Sequence, residues 1–124
     1  MLKFYKCPVC GNVILKVVDH NIPVVCCGKP MIELKENTTD AVLEKHIPVV
    51  EFDGDVMKVS VGSIIHPHTE EHHIAFIAVD TIDGLFVKNL KILDEPIATF
   101  KVNKDGVKAV YEYCNLHGLW KKEL

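Results

Sequence analysis

Four of the chain's five cysteines, Cys7, Cys10, Cys26 and Cys27, occur before residue 28. A segment of some 35 residues leaves too much of its surface wet to hold itself together by apolar burial, so residues 1–35 require a staple. Cys7-Pro-Val-Cys10-Gly has the form of a metal knuckle: two intervening residues let both thiolates face one ion while the turn's amides face the sulfurs. With Cys26-Cys27-Gly28 it offers four thiolates, the soft tetrahedral set that suits zinc or iron. Spacing alone leaves a purely structural zinc ribbon open. Against that stands the adjacent pair, since zinc ribbons usually repeat the two-residue spacing, and neighbouring cysteines force their sulfurs to leave the chain in different directions. A vicinal disulfide is disfavoured by strain and by compartment.

The compartment follows from the rest of the sequence. The opening residues, Met1 to Lys6, reach a cysteine without an apolar core segment, and no apolar run is long enough to cross a bilayer, so a cytoplasmic protein with no membrane association is expected. In a reducing compartment five cysteines read as ligands or catalytic groups rather than a disulfide framework. A formal net charge of −3 with scattered lysines argues against nucleic acid as a partner, which needs a concentrated basic face.

Beyond the cysteine-rich segment, residues 36–45 are polar and poor in strand formers, which places a domain boundary near Glu36: residues 1–36 and residues 37–124. A strand is expected over Asn12–Val18 in the first. In the second, Ile47–Phe52 and Val56–Val61 flank Asp53-Gly54-Asp55, and Ile74–Ile82 and Leu85–Ile92 flank the turn pair Asp83-Gly84, giving two hairpins. Alternation continues through Ala98, Phe100 and Val102, and through Ala109, Tyr111 and Tyr113 against Lys108, Glu112 and Cys114. About seven short strands with no convincing helix predict an all-β chain whose second domain is an immunoglobulin-like antiparallel sandwich.

Near the C-terminus, Cys114 and His117 stand three apart as the last expected strand enters a loop containing Gly118, a spacing that can chelate one ion. His46, His66, His68, His72 and His73 cluster near expected strand ends. Period-two alternation puts His72 and His73 on opposite faces, and Pro67 breaks the regularity that would align His66 with His68, so spacing does not choose among them. His20, in Asp19-His20-Asn21, reads as a solvated turn residue.

Taken together, Cys7-Pro-Val-Cys10-Gly, Cys26-Cys27-Gly28-Lys-Pro-Met31, Glu44-Lys45-His46-Ile-Pro48, His66-Pro67 and Cys114-Asn-Leu-His117-Gly-Leu-Trp120 resemble the desulfoferrodoxins over essentially the whole chain. The resemblance implies a desulforedoxin-like domain with a tetrathiolate iron on Cys7, Cys10, Cys26 and Cys27. It implies a second iron held by His46, His66, His72, His117 and Cys114, the family's spacing selecting His72 over His73. The implied activity is superoxide reductase, one-electron reduction of superoxide to hydrogen peroxide. Lys45 would attract the anion and Glu44 would close the open position of the oxidised iron. A rubredoxin-like electron donor and a homodimer are implied as well, and calcium is left open. The chain departs from the family in carrying His68, where relatives often have methionine, and histidine at both 72 and 73. The rival reading is a rubredoxin-like electron-transfer protein without superoxide turnover.

Overall fold

The computed structural model describes residues 2–37, 46–62 and 68–124 and divides into two compact units, Met1–Lys35 and Glu36–Leu124. In the first, β1 (Phe4–Lys6) lies between β2 (Val13–Leu15) and β5 (Ile32–Glu33), all antiparallel, while β3 (Val25–Cys26) and β4 (Lys29–Pro30) form a separate hairpin. The expected strand over Asn12–Val18 is thus only three residues long. Its pairing runs out opposite Phe4, and Val17 and Val18 stand 87% and 70% exposed. Beyond it the chain is shaped by polar contacts: the Lys16 ammonium donates to Asp19 Oδ1 at 3.1 Å and to the Ile22 carbonyl at 2.8 Å, and lies over the Tyr5 ring.

Among the described residues of this unit, only Phe4 and Cys7 are buried. Two side chains bury too little apolar surface to offset the entropy of ordering such a chain. The fold of this unit therefore depends on what joins its cysteines.

The second unit is an antiparallel β-sandwich. One sheet is β10 (Ile97–Lys101), β7 (Val56–Val61) and β6 (Pro48–Asp53); the other is β12 (Gly118–Glu123), β11 (Val107–Cys114), β8 (Ile74–Thr81) and β9 (Gly84–Asn89), each in that order. Met57, Val59 and Val61 of β7 meet Ile77 and Val79 of β8 and Val110 and Cys114 of β11 in one core. As the alternation predicts, Lys58 points away from it.

Three features differ from the sequence reading. The second hairpin turns one residue earlier, at Ile82-Asp83, because the Thr81 hydroxyl accepts from the Asp83 and Gly84 amides and donates to the Gly84 carbonyl. The segment after Cys114 is a tight turn into a further strand, β12, rather than a terminal loop; Gly118 adopts a φ of +82° there. Asn37 covers the outer edge of that strand, its side chain bonding both the amide and the carbonyl of Lys121. On β11, alternation gives way to burial of every residue from Ala109 to Cys114, because β11 is a central strand with neighbours on both sides. Glu112 shares the inward face with Val110 and Cys114.

Candidate metal centres

The first cluster is assembled from two turns. Cys7 directly follows β1, its amide bonded to the Asn12 carbonyl, and the Val9 and Cys10 amides both reach back to its sulfur at 3.4 Å. Gly11, at φ +81°, lets the chain turn back. The opposite side is the β3–β4 hairpin, whose two-residue turn is Cys27-Gly28 with φ of +54° and +74°. Positive φ at both central residues is the signature of the tight hairpin turn that matches strand twist. It also accounts for the adjacent cysteines: Cys26 is the last strand residue and Cys27 the first turn residue, so a reversal of the chain brings both sulfurs to one point.

All four sulfurs lie within 4.8 Å of one another, with Cys10 and Cys26 at 3.6 Å. A tetrahedral ion with metal–sulfur bonds of about 2.3 Å would set sulfurs about 3.8 Å apart, so the set fits. Its electrostatics point the same way. The Cys10 and Val9 amides lower the Cys7 thiol from 9.0 to about 6, against its burial. Cys27 is pushed up to about 12 by the sulfurs of Cys10, Cys7 and Cys26. Four sulfurs this close cannot all be anionic without a cation among them. Cys10 and Cys27 form the exposed edge of the cluster, and Cys7 the buried one.

The second cluster lies at one end of the sandwich. It joins His46 just before β6, His72 in the loop before β8, Cys114 at the end of β11, and His117 in the turn to β12, with donor atoms within 4.8 Å of one another. His46 Nε2 is 3.1 Å from His117 Nδ1, and Cys114 Sγ is 3.8 Å from the same nitrogen. Two nitrogens at right angles around an ion at about 2.1 Å would be about 3.0 Å apart. The rings agree: those of His46 and His72 are 27° from parallel, and His117 stands at 85° and 77° to them. This is a mixed imidazole and thiolate set suited to a transition-metal ion.

Local structure aims these side chains. The β8–β11 ladder slips between Tyr113 and Cys114, so that Tyr113 faces Phe76 while Cys114 faces Ile74. A bulge of this kind redirects a side chain at a strand end. Trp120, fully buried, stacks on His46 at 4.9 Å, and its indole N–H donates to the His117 carbonyl at 3.1 Å. Burial raises the Cys114 thiol, the His117 and Leu116 amides oppose the rise, and the nearby Glu112 carboxyl adds to it. Glu112 itself is fully enclosed, held well above the ordinary carboxylate range by desolvation, and neither oxygen meets a hydrogen-bond partner among the described residues.

Two other described histidines, His68 and His73, turn to backbone carbonyls instead. The His73 ring nitrogen Nδ1 faces the carbonyls of Thr69 and Glu70, and the two ring nitrogens of His68 face the carbonyls of Asp94 and Ile74. His20 is exposed. Glu44, Lys45 and His66 lie outside the described residues. The stacking of Trp120 on His46 and the burial of Glu112 were not read from the sequence, although Trp120 stands inside the motif that carries Cys114 and His117.

A tetracysteine knuckle module followed by an antiparallel sandwich with a histidine–cysteine cluster at one end defines a metalloprotein with two unlike centres. The desulfoferrodoxin family model matches residues 38–123. The chain is 45% identical over 121 residues to the desulfoferrodoxin homolog of Archaeoglobus fulgidus, covering 98% of this chain and 96% of that one. It is also 45% identical over 122 residues to the desulfoferrodoxin of Nitratidesulfovibrio vulgaris, covering 98% and 95%. The solved superoxide reductase from Treponema pallidum superposes with a TM-score of 0.83 at 34% identity, covering 99% of this chain and 98% of that one. The chain belongs to the desulfoferrodoxin family, and its two clusters match the family's two iron sites.

Proposed function

We propose that the chain is a superoxide reductase, with residues 37–124 as the catalytic domain and residues 1–36 as a desulforedoxin-like domain holding a tetrathiolate iron. The observation that carries the reading is the convergence of His46, His72, His117 and Cys114 from four separate segments onto one point. His66 is proposed to complete the set to four imidazoles and one thiolate. Iron bound there would supply the one electron that, with two protons, converts superoxide to hydrogen peroxide.

The chain's own residues make the site selective. Neutral imidazoles add no charge and one thiolate offsets one unit, so a divalent centre stays net positive and favours a small anion. His46 and Cys114 are buried whereas His72 and His117 are partly exposed, which puts solvent access on the side of the latter pair. Lys45, directly before His46 in sequence, is proposed to attract the anion and stabilise the charge developing on it, and Glu44 to close the vacated position after product leaves. Trp120 keeps His46 and His117 in place while this happens.

A rubredoxin-like protein is proposed as electron donor. Residues 1–35 carry five lysines against two carboxylates, a net +3, whereas residues 36–124 carry nine lysines against fifteen carboxylates, a net −6. The basic segment, with exposed Val9 and Val25 beside the cysteine edge, suits an acidic one-electron carrier. A homodimer is proposed from the same unit's exposed Val17, Val18 and Ile22, which a second copy would cover. No helix among the described residues is long and apolar enough to cross a membrane. A cytoplasmic location is proposed because all five cysteines must remain reduced thiols for both centres to form.

The test is a controlled flux of superoxide into iron-loaded protein supplied with a reductant. Hydrogen peroxide in an amount equal to the superoxide consumed, with no dioxygen, is the expected result. Dioxygen evolved alongside peroxide would mark dismutation, and no consumption by protein loaded at both centres would return the chain to an electron carrier.

A further inference from the structure

The loop that carries His72 is an internally bonded unit. The Thr69 amide and hydroxyl both donate to the His72 carbonyl, and the His72 amide reaches the Thr69 hydroxyl at 3.2 Å. His73 turns its ring back onto the carbonyls of Thr69 and Glu70. Such a unit has a definite shape, but nothing in it fixes where that shape sits relative to Cys114 and His117.

Asn115 supplies that link. Its side-chain Oδ1 accepts from the His73 amide at 2.8 Å, its Nδ2 donates to the Glu71 carbonyl at 2.9 Å, and its backbone amide donates to the His73 carbonyl at 3.1 Å. The carboxamide therefore grips the main chain on both sides of His72, as a peptide group in a neighbouring strand would. The grip falls where the β8–β11 ladder has slipped and regular strand pairing no longer holds the two segments in register. It also explains the selection of His72 over its neighbour: with the His73 amide and carbonyl fixed to residue 115 and its ring turned to its own loop, His72 is the side chain left facing His117, at 5.0 Å between rings.

We propose that Asn115 is a positioning residue for the second centre, locking the His72 loop onto the Cys114–His117 turn and thereby setting the geometry and retention of the metal. The proposal rests on the reading of that cluster as a metal site. Asn115 meets neither metal nor substrate; its demand is for one donor and one acceptor at fixed separation. Aspartate, the same shape, keeps the acceptor but sets a second oxygen against the Glu71 carbonyl. Alanine removes both.

The test compares Asn115→Ala, Asn115→Asp and, as a control on β9 away from either cluster, Val87→Ala, whose side chain is 52% exposed. In iron-loaded full-length protein, chelator-driven iron loss from the second centre is expected to accelerate roughly tenfold in both Asn115 variants, the scale typical of supports behind metal ligands, with a shifted thiolate-to-iron absorption band. The tetracysteine centre in the same molecule should lose iron at the wild-type rate, and the Val87 variant should match wild type throughout. In metal-free protein, exchange of the His73 amide should quicken in Asn115→Ala, which removes its acceptor, a readout independent of what the loaded centre reduces. Wild-type retention and spectrum in Asn115→Asp would overturn the proposal by showing that only bulk matters at this position. Parallel acceleration at both centres would overturn it by showing a general loss of stability. A wild-type second site that takes up no iron, with His73 exchange still changed, would instead count against the metal reading itself.

Discussion

The two centres of this chain are built in opposite ways. The first gathers its ligands from two local turns, Cys7 to Cys10 and Cys26-Cys27, in a unit where only Phe4 and Cys7 are buried among the described residues. The second gathers ligands as far apart as His46 and His117, separated by 71 residues, at the end of a sandwich that has its own core. In the first unit the metal site makes the fold; in the second the fold makes the metal site. That division explains why the first centre leaves Cys10 and Cys27 exposed while the second buries Cys114 and His46.

The largest effect that can break this contrast is metal removal. Stripping the reduced protein with a chelator should abolish amide protection in β1 to β5 while β7, β8 and β11 keep theirs, as residue-resolved hydrogen exchange would show. Protection persisting in the first unit would mean that its few apolar contacts suffice. Next, Cys114→Ala should lose the second centre's iron and reduce superoxide consumption to background while the tetrathiolate spectrum is unchanged. A coupled loss of both spectra would contradict the independence of the two sites.

A smaller effect tests the turn that accommodates adjacent cysteines. At Gly28, φ is +74° and a Cβ would meet nothing within 4 Å, so Gly28→Ala carries a conformational cost alone. A cost of about 1 kcal/mol should speed iron loss from the first centre about fivefold and leave the second untouched. The smallest effect concerns Asp19, held below its ordinary value first by the Asn21 amide and then by Lys16. A carboxyl lowered on folding contributes stability above the ordinary carboxylate range and loses it as pH falls through the depressed value. Asp19→Asn should therefore loosen the loop over residues 16–22 at neutral pH. In iron-loaded protein at neutral pH the Asn21 amide, which donates to Asp19, should exchange faster in the variant, and wild-type exchange there would remove the carboxylate's role.

Which parts were legible in the sequence follows from the same contrast. Cys7-Pro-Val-Cys10 could be read directly because its ligands share one turn. The adjacency of Cys26 and Cys27 was visible but unexplained, since it depends on a cysteine adopting φ of +54°. In the sandwich, the hairpins announced themselves by turn residues and by the alternation of Met57, Val59 and Val61. Strand β12 was hidden because Lys121-Lys122-Glu123 looks like a solvated tail. In the fold Lys121 is 9% exposed, its ammonium bonded to Glu123 and lying over the Tyr111 ring. Glu112 was misplaced because the alternation was phased on Ala109, Tyr111 and Tyr113, whereas the core face of β11 carries Val110 and Cys114. The separation of His72 from His73 was illegible without relatives: alternation puts them on opposite faces, and the contact that distinguishes them comes from Asn115, 42 residues beyond His73.

The division of labour between the two centres is tested by rapid mixing of fully reduced, iron-loaded protein with superoxide in the absence of a donor, following the absorption of each centre separately. The histidine–cysteine centre is expected to be oxidised in the first event while the tetracysteine centre stays reduced, and Cys114→Ala is expected to abolish that event. Oxidation of the tetracysteine centre first, or an unchanged rate in Cys114→Ala, would contradict that division.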